Sequence, residues 1–331
     1  MKRIVVGLLI VFFSAGLVMD AEAAPLRFRF AGQQRMDHLA TQMQYDVAKE
    51  INERTQGRVE ITVFPADQLG NYSVVMEELI RGTIDMGLNS FATEFDPRFG
   101  VLYINGFVLD YDQAREIFHP DAWLPQKLNE LGLNLGVRVI GCFLEGFIGL
   151  GSTKELIEPL NPKVDKGVQT RVPNMEVFIT GAQAMGFRTQ TVPWSDVYQA
   201  LQTGLVDAVD GMAAPTAYTM LRDVLKHWYV TNYSVEVHPF MVSESSWKKL
   251  TPEDQAIFMD VARKFTLESI RVAEEESNKY LELLEQAGIQ VHRYSSEELQ
   301  PIKEAIVASW DQLADSMGKD FIDEFKKELG N

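Results

Sequence analysis

Catalysis or metal binding in this chain would have to be built from five histidines, one cysteine and one glycine-rich stretch. The histidines, His38, His119, His227, His238 and His292, are scattered, and none sits at metal-ligand spacing. HExxH, GxSxG and EF-hand patterns are absent. Gly146-Phe147-Ile148-Gly149-Leu150-Gly151-Ser152-Thr153-Lys154 invites a phosphate-loop reading. Such a loop needs lysine directly after its last glycine, so that backbone nest and ammonium converge on one phosphate. Lys154 comes three residues after Gly151, which favours a glycine-rich hinge or strand end. Cys142 lies in an apolar strand-like stretch, Val139 to Leu144, with no base nearby, so it reads as a buried inert thiol rather than a nucleophile. As the single cysteine it excludes an intramolecular disulfide and a zinc site built on a Cys cluster. Nothing in these residues supports a catalytic group, a cofactor or a metal, and we expect no enzyme.

The chain has 331 residues, 46% hydrophobic and 24% charged, which is a globular composition with length for roughly two domains. Its formal charge of −16, from 47 acidic against 31 basic residues, argues against a nucleic-acid or anionic-lipid binder. Met1-Lys2-Arg3 is a short cationic start, Ile4 to Val18 is an apolar run, and Ala21-Glu22-Ala23 has small residues where a signal peptidase cuts. That is the three-part pattern of a secretory signal over 1–23, with cleavage expected after Ala23 and the periplasm as destination. An uncleaved anchor is the alternative, but the run is shorter than the roughly 20 residues needed to span a bilayer.

Beyond the signal, strands and helices alternate. Leu26 to Phe30 alternates apolar and charged residues as a half-buried strand does, and Val59 to Val63 does the same. Between them Leu39, Met43, Val47 and Ile51 recur every four residues, an amphipathic helix stopped by Gly57. A short helix through Val75–Ile80 and a strand over Ile84–Leu88 follow. The second half repeats the pattern: strand 169–172, helix 175–185, strand 190–192, helix 195–203, strand 206–209. This order predicts a mostly parallel sheet covered by helices. Pro252 to about Ala287 is one long helical pattern with Thr251 as N-cap and Pro252 in the first helical position. At 1.5 Å per residue it would run on the order of 50 Å, enough to cross two domains.

Four stretches carry a resemblance. They are Glu53-Arg54-Thr55-Gln56-Gly57-Arg58-Val59, Phe64-Pro65-Ala66-Asp67-Gln68-Leu69-Gly70, Thr170-Arg171-Val172-Pro173-Asn174, and the run Pro193-Trp194-Ser195-Asp196-Val197-Tyr198 through Gly204-Leu205-Val206-Asp207. In this order they resemble the DctP-type extracytoplasmic solute-binding proteins of tripartite ATP-independent periplasmic (TRAP) transporters, over essentially the whole mature chain. The resemblance implies an α/β fold: the two-domain periplasmic binding protein fold, with hinge strands and a long domain-spanning helix. It maps the lobes to 24–146 plus 235–273 and 147–234 plus 274–331. It implies a small organic-anion ligand trapped in the cleft, no cofactor, a monomer, and delivery to the small and large membrane subunits of an ion-driven permease. A periplasmic enzyme acting on small organic acids, or a ligand-presenting sensor of the same fold, are the alternatives.

Arg171 matches the arginine that clamps the ligand carboxylate in this family, and a planar guanidinium can give a carboxylate two parallel N–H bonds. Asn174 follows as a donor to ligand or as a cap for the next helix. Trp194 stands where the family places an aromatic ring against the ligand; a core position is equally open. Asp210 and Met212 fall where relatives put polar contacts, and Asp210 would either accept from a ligand hydroxyl or amine, or pair with an arginine. Asn89 and Ser90, at the end of the third strand, and Gln33 and Gln34, after the first, are candidates from the other lobe. Many relatives add a second arginine, but the matching stretch here, Glu145 to Gly149, has none. A monocarboxylate with an apolar or aromatic body, lying near Phe147, Trp194 and Met212, is therefore expected.

Overall fold

The computed structural model describes residues 24–329; the signal-peptide assignment lies outside the described residues. Strands are β1 (Leu26–Gly32), β2 (Val59–Phe64), β3 (Met86–Leu88), β4 (Val137–Ser152), β5 (Gln169–Val172), β6 (Arg188–Thr191), β7 (Ala208–Ala213), β8 (His227–Val230), β9 (Val235–Ser243) and β10 (Gln290–Arg293). They form one continuous order, β2-β1-β3-β9-β4-β7-β5-β6, with β8 on β4 and β10 on β8.

Each lobe has a parallel trio, β2-β1-β3 in the first and β7-β5-β6 in the second. Two long strands, β4 and β9, join them antiparallel to each other, so the sheet is mixed rather than mostly parallel. The reason is length: β4 runs 16 residues, pairing β9 from Val137↔Ser243 to Phe147↔Val235 before continuing onto β7 and β8. Its glycine-rich part is thus a strand shared by the two lobes. The expected strands at 84–88, 190–192 and 206–209 are real, but lie at Met86–Leu88, Arg188–Thr191 and Ala208–Ala213.

The long helix spans Pro252–Gln286, and the Thr251 side chain accepts from Asp254 N–H as its N-cap. Its buried face changes character along its length. Phe258, Val261 and Phe265 close an apolar cluster with Phe28, Phe30, Val59 and Phe240 of the first lobe. Further on, Thr266 and Ser269 face β4, where the register slips at Val139/Gly141 and Leu144/Gly146. There the helix supplies what the ladder does not: Cys142 N–H donates to Thr266 Oγ1 (3.0 Å) and Leu144 N–H to Ser269 Oγ (3.2 Å). Gly141 is required by this approach, since a Cβ would stand 3.1 Å from the Ala262 carbonyl oxygen and 2.5 Å from Thr266 Oγ1. Farther along, Tyr280 packs on Tyr218 of the second lobe. One rigid element therefore touches both lobes. Cys142 is buried, and burial pushes its thiol up to about 12, consistent with an inert side chain.

Candidate functional site

The C-terminal ends of β5 and β7 and the turns after β1 and β3 converge on a narrow cavity between the lobes. Gln33, Tyr72, Ser90 and Tyr103 line it from the side of β1 and β3, Arg171, Pro173, Met175, Phe178, Trp194 and Gly211 from the side of β5 and β7, and Glu236 from the start of the joining strand β9. The cavity is narrow, with room for little more than one water molecule.

Arg171 is 1% exposed. Its Nε donates to the Val192 carbonyl (3.0 Å) and Nη1 to the Asp210 carbonyl (3.1 Å), and the guanidinium lies 5.5 Å from the Trp194 ring centre. Two of its five N–H groups are used for orientation, which leaves three for a guest. No carboxylate among the described residues lies within ion-pair distance of it, unlike the surface arginines Arg54, Arg58 and Arg98, which all pair. Burial lowers its pKa to about 10, against the pull of Tyr72, Asp210 and Glu236, so it remains a cation at neutral pH. A buried cation without a partner is costly, and an anionic guest relieves it.

The fold brings together four of the side chains expected from sequence: Arg171, Trp194, Ser90 and Gln33. Gln33 Oε1 accepts Ser90 N–H (3.2 Å), locking the two first-lobe turns together. The others lie elsewhere. Asn174 is exposed in a groove outside the cavity with Asn71, Thr191 and Trp194. It does not cap the helix Glu176–Ala184, whose N-cap is Met175 with no side-chain bond. Asp210 acts from behind: its carbonyl holds Arg171, while its carboxylate accepts from Tyr233 hydroxyl and Gly211 N–H. Gly211 makes that turn at φ +84, where a Cβ would sit 2.7 Å from Pro173 Cγ. Met212, next to the lining residue Gly211 in β7, turns to the opposite face and is buried, and Phe147 packs edge-on against Tyr111 on β4, which contributes nothing to the cavity wall, so neither lines it. Asn89 is buried beside the cavity with both amide atoms unpartnered.

The sequence reading missed Tyr72, Tyr103, Pro173, Met175, Phe178, Gly211 and Glu236 as lining residues. Glu236 had a visible signal, a lone acid in the apolar run Val235-Glu236-Val237. Burial pushes its carboxyl up to about 8, helped by Glu145 and Asp210 and opposed by His238 and Arg171. Burial likewise takes Asp210 up to about 7, against Gly211 N–H and Arg171. Folded-state values above the unfolded ones mean that these acids favour the fold at low pH. That contribution is lost as pH rises from about 4 through the folded values. The unliganded protein is expected to melt lower at pH 8.5 than at pH 5, and Glu236→Gln or Asp210→Asn to flatten that slope. A melting temperature that climbs over the same interval would contradict it.

A second polar cluster sits beside the cavity. Glu145 of β4 accepts from Thr216 N–H (3.0 Å) and Gln34 Nε2 (3.2 Å), with His238 Nε2 at 3.1 Å and His38 Nε2 at 3.4 Å. Gln34 thus serves this cluster and not the cavity. Larger grooves run along the long helix, but their cations are already paired: Arg263 with Asp121, Lys264 with Glu50 and Asp260. Among the described residues no group of His, Cys, Asp and Glu is placed to hold a metal, and no helix is long and apolar enough to cross a membrane.

Comparison with known proteins gives the family and the fold. The family described as bacterial extracellular solute-binding protein, family 7 (DctP), matches residues 30–316. The sialic acid-binding periplasmic protein SiaP of Vibrio cholerae is 25% identical over 280 residues, 83% of this chain and 84% of that one. The C4-dicarboxylate-binding periplasmic protein DctP of Rhodobacter capsulatus is 25% identical over 83% of this chain and 82% of its own. In fold, the chain is similar to a TRAP periplasmic solute-binding protein from Desulfovibrio salexigens with bound orotic acid (TM-score 0.82, 22% identity, 92% of this chain and 98% of that one). The chain therefore belongs to the DctP family of TRAP solute-binding proteins, which bind small organic acids and are not enzymes.

Proposed function

We propose that this protein captures a small monocarboxylate with an apolar or aromatic body by hinge closure and delivers it to the small and large membrane subunits of a TRAP permease. It does so as a periplasmic monomer, after removal of residues 1–23. The observation that carries this reading is Arg171, a fully buried cation with no acidic partner among the described residues. It is the single cationic side chain on the described cavity wall, and Trp194, Phe178, Met175, Pro173 and the rings of Tyr72 and Tyr103 supply apolar surface around it. One guanidinium answers one carboxylate. The lobes assigned from sequence, 24–146 plus 235–273 and 147–234 plus 274–331, would rotate about β4 and β9. A guest touching both lobes only when they are shut shifts the population towards the closed form.

Titration calorimetry tests the ligand class: apolar and aromatic monocarboxylates should bind and succinate or malate should not. Tight binding of those dicarboxylates, with no binding of monocarboxylates, would overturn it. Trp194→Ala should weaken the best monocarboxylate by about tenfold, since it removes both the apolar wall and the ring under Arg171. Trp194→Phe should recover most of that loss. An Ala variant that binds as wild type would place the ring in the core rather than the site.

A further inference from the structure

Buried acids elsewhere in the fold have donors. Glu145 has Thr216 N–H and Gln34; Asp210 has Tyr233 and Gly211 N–H; Asp85 has Arg29 N–H (2.8 Å) and Ser246 hydroxyl (2.6 Å). Glu236 is different. It is 5% exposed, lines the cavity, and receives no hydrogen bond from the described residues. Its nearest basic neighbour, His238 Nε2, stands 3.5 Å from Oε1 and closer, 3.1 Å, to Glu145. The cavity thus has an unmet acceptor on the joining strand β9 and an unmet cation, Arg171, at the end of β5.

We infer that Glu236 is the specificity-determining residue of this site, accepting a hydrogen bond from a hydroxyl or ammonium group that the guest carries beside the carboxylate held by Arg171. This rests on Arg171 being the carboxylate anchor. A guest with such a donor satisfies both groups at once. A plain acid leaves a buried acceptor unpaired, and sites built to hydrogen-bond a guest discriminate strongly against analogues lacking the group. A hydroxyl suits Glu236 in either protonation state, because it can donate to a carboxylate or accept from a carboxylic acid. An ammonium suits only the carboxylate.

Matched sets decide the matter by calorimetry: acetate, glycolate and glycine; propionate, lactate and alanine; phenylacetate, mandelate and phenylglycine. In the set that binds tightest, the hydroxy or the amino member should exceed the plain acid by about ten- to a hundredfold. Which of the two does so identifies the donor. Glu236→Leu should erase that preference while still binding the plain acid, and Glu236→Gln, which keeps an acceptor, should retain part of it. Equal affinity for plain and donor-bearing acids in wild type, or a preference that survives Glu236→Leu, overturns the role of Glu236 and leaves the carboxylate receptor standing. Failure of every carboxylate to bind overturns both. Should Glu236→Leu not fold, the wild-type comparison decides by itself.

Discussion

Arg171→Ala is expected to weaken binding of the best carboxylate guest by about a hundred- to a few thousandfold, while the unliganded protein keeps its fold. Removing one member of a buried, hydrogen-bonded ion pair costs about 3–5 kcal/mol, and each 1.4 kcal/mol is tenfold in affinity. Without guest, the same side chain is a buried cation with no counter-charge, so its removal relieves a desolvation penalty even as the Val192 and Asp210 carbonyls lose their donors. The two effects oppose, and the unliganded melting temperature should move little. Arg171→Lys keeps the charge but not the planar fork that reaches two carbonyls and a carboxylate together, so a loss of at least about tenfold is expected there too. Calorimetry with circular dichroism and thermal melting on the same samples separates the cases. Wild-type affinity in either variant would remove Arg171 from the site, and collapse of the unliganded fold would make its role structural.

Glu145→Ala should lower the melting temperature by on the order of 10 °C. Glu145 is 2% exposed and lies where β4, β9, the turn after β1 and the start of the helix Ala214–Leu221 meet. Truncation leaves Thr216 N–H, Gln34 and His238 without their acceptor inside the protein. Burial alone would raise this acid's pKa, but His38 and His238 beside the carboxylate outweigh it and hold the carboxyl well below its ordinary range. A depressed folded-state pKa means stability that is present above the unfolded carboxyl range, about 4.3, and lost as pH falls below it. Acid melts of wild type should therefore steepen below about pH 4, and Glu145→Gln should flatten them. This window lies below the one assigned to Asp210 and Glu236 and has the opposite sign, so the two groups can be read separately. An Ala variant melting within a degree or two of wild type would show that water fills the gap.

Periodicity in the sequence determined the elements that make each lobe: the alternation of Leu26–Phe30, the four-residue spacing of Leu39 to Ile51, and the unbroken helical pattern from Pro252. These depend on local backbone preference and on which face is apolar, and both are written in consecutive residues. The Arg-Val-Pro-Asn and Pro-Trp-Ser-Asp segments were enough to identify the family and to single out Arg171 and Trp194 as site candidates. Three things were decided only by the tertiary structure. β4 and β9 pair residues nearly a hundred positions apart, which turned an expected parallel sheet into a mixed one. Strand facing took Met212 and the Asp210 carboxylate, the two neighbours of Gly211, off the cavity wall, since successive side chains point to opposite faces, and Phe147 lies on β4, which does not reach that wall. Glu236 reached that wall without a partner of its own because what surrounds an acid depends on segments distant in sequence that fold against it.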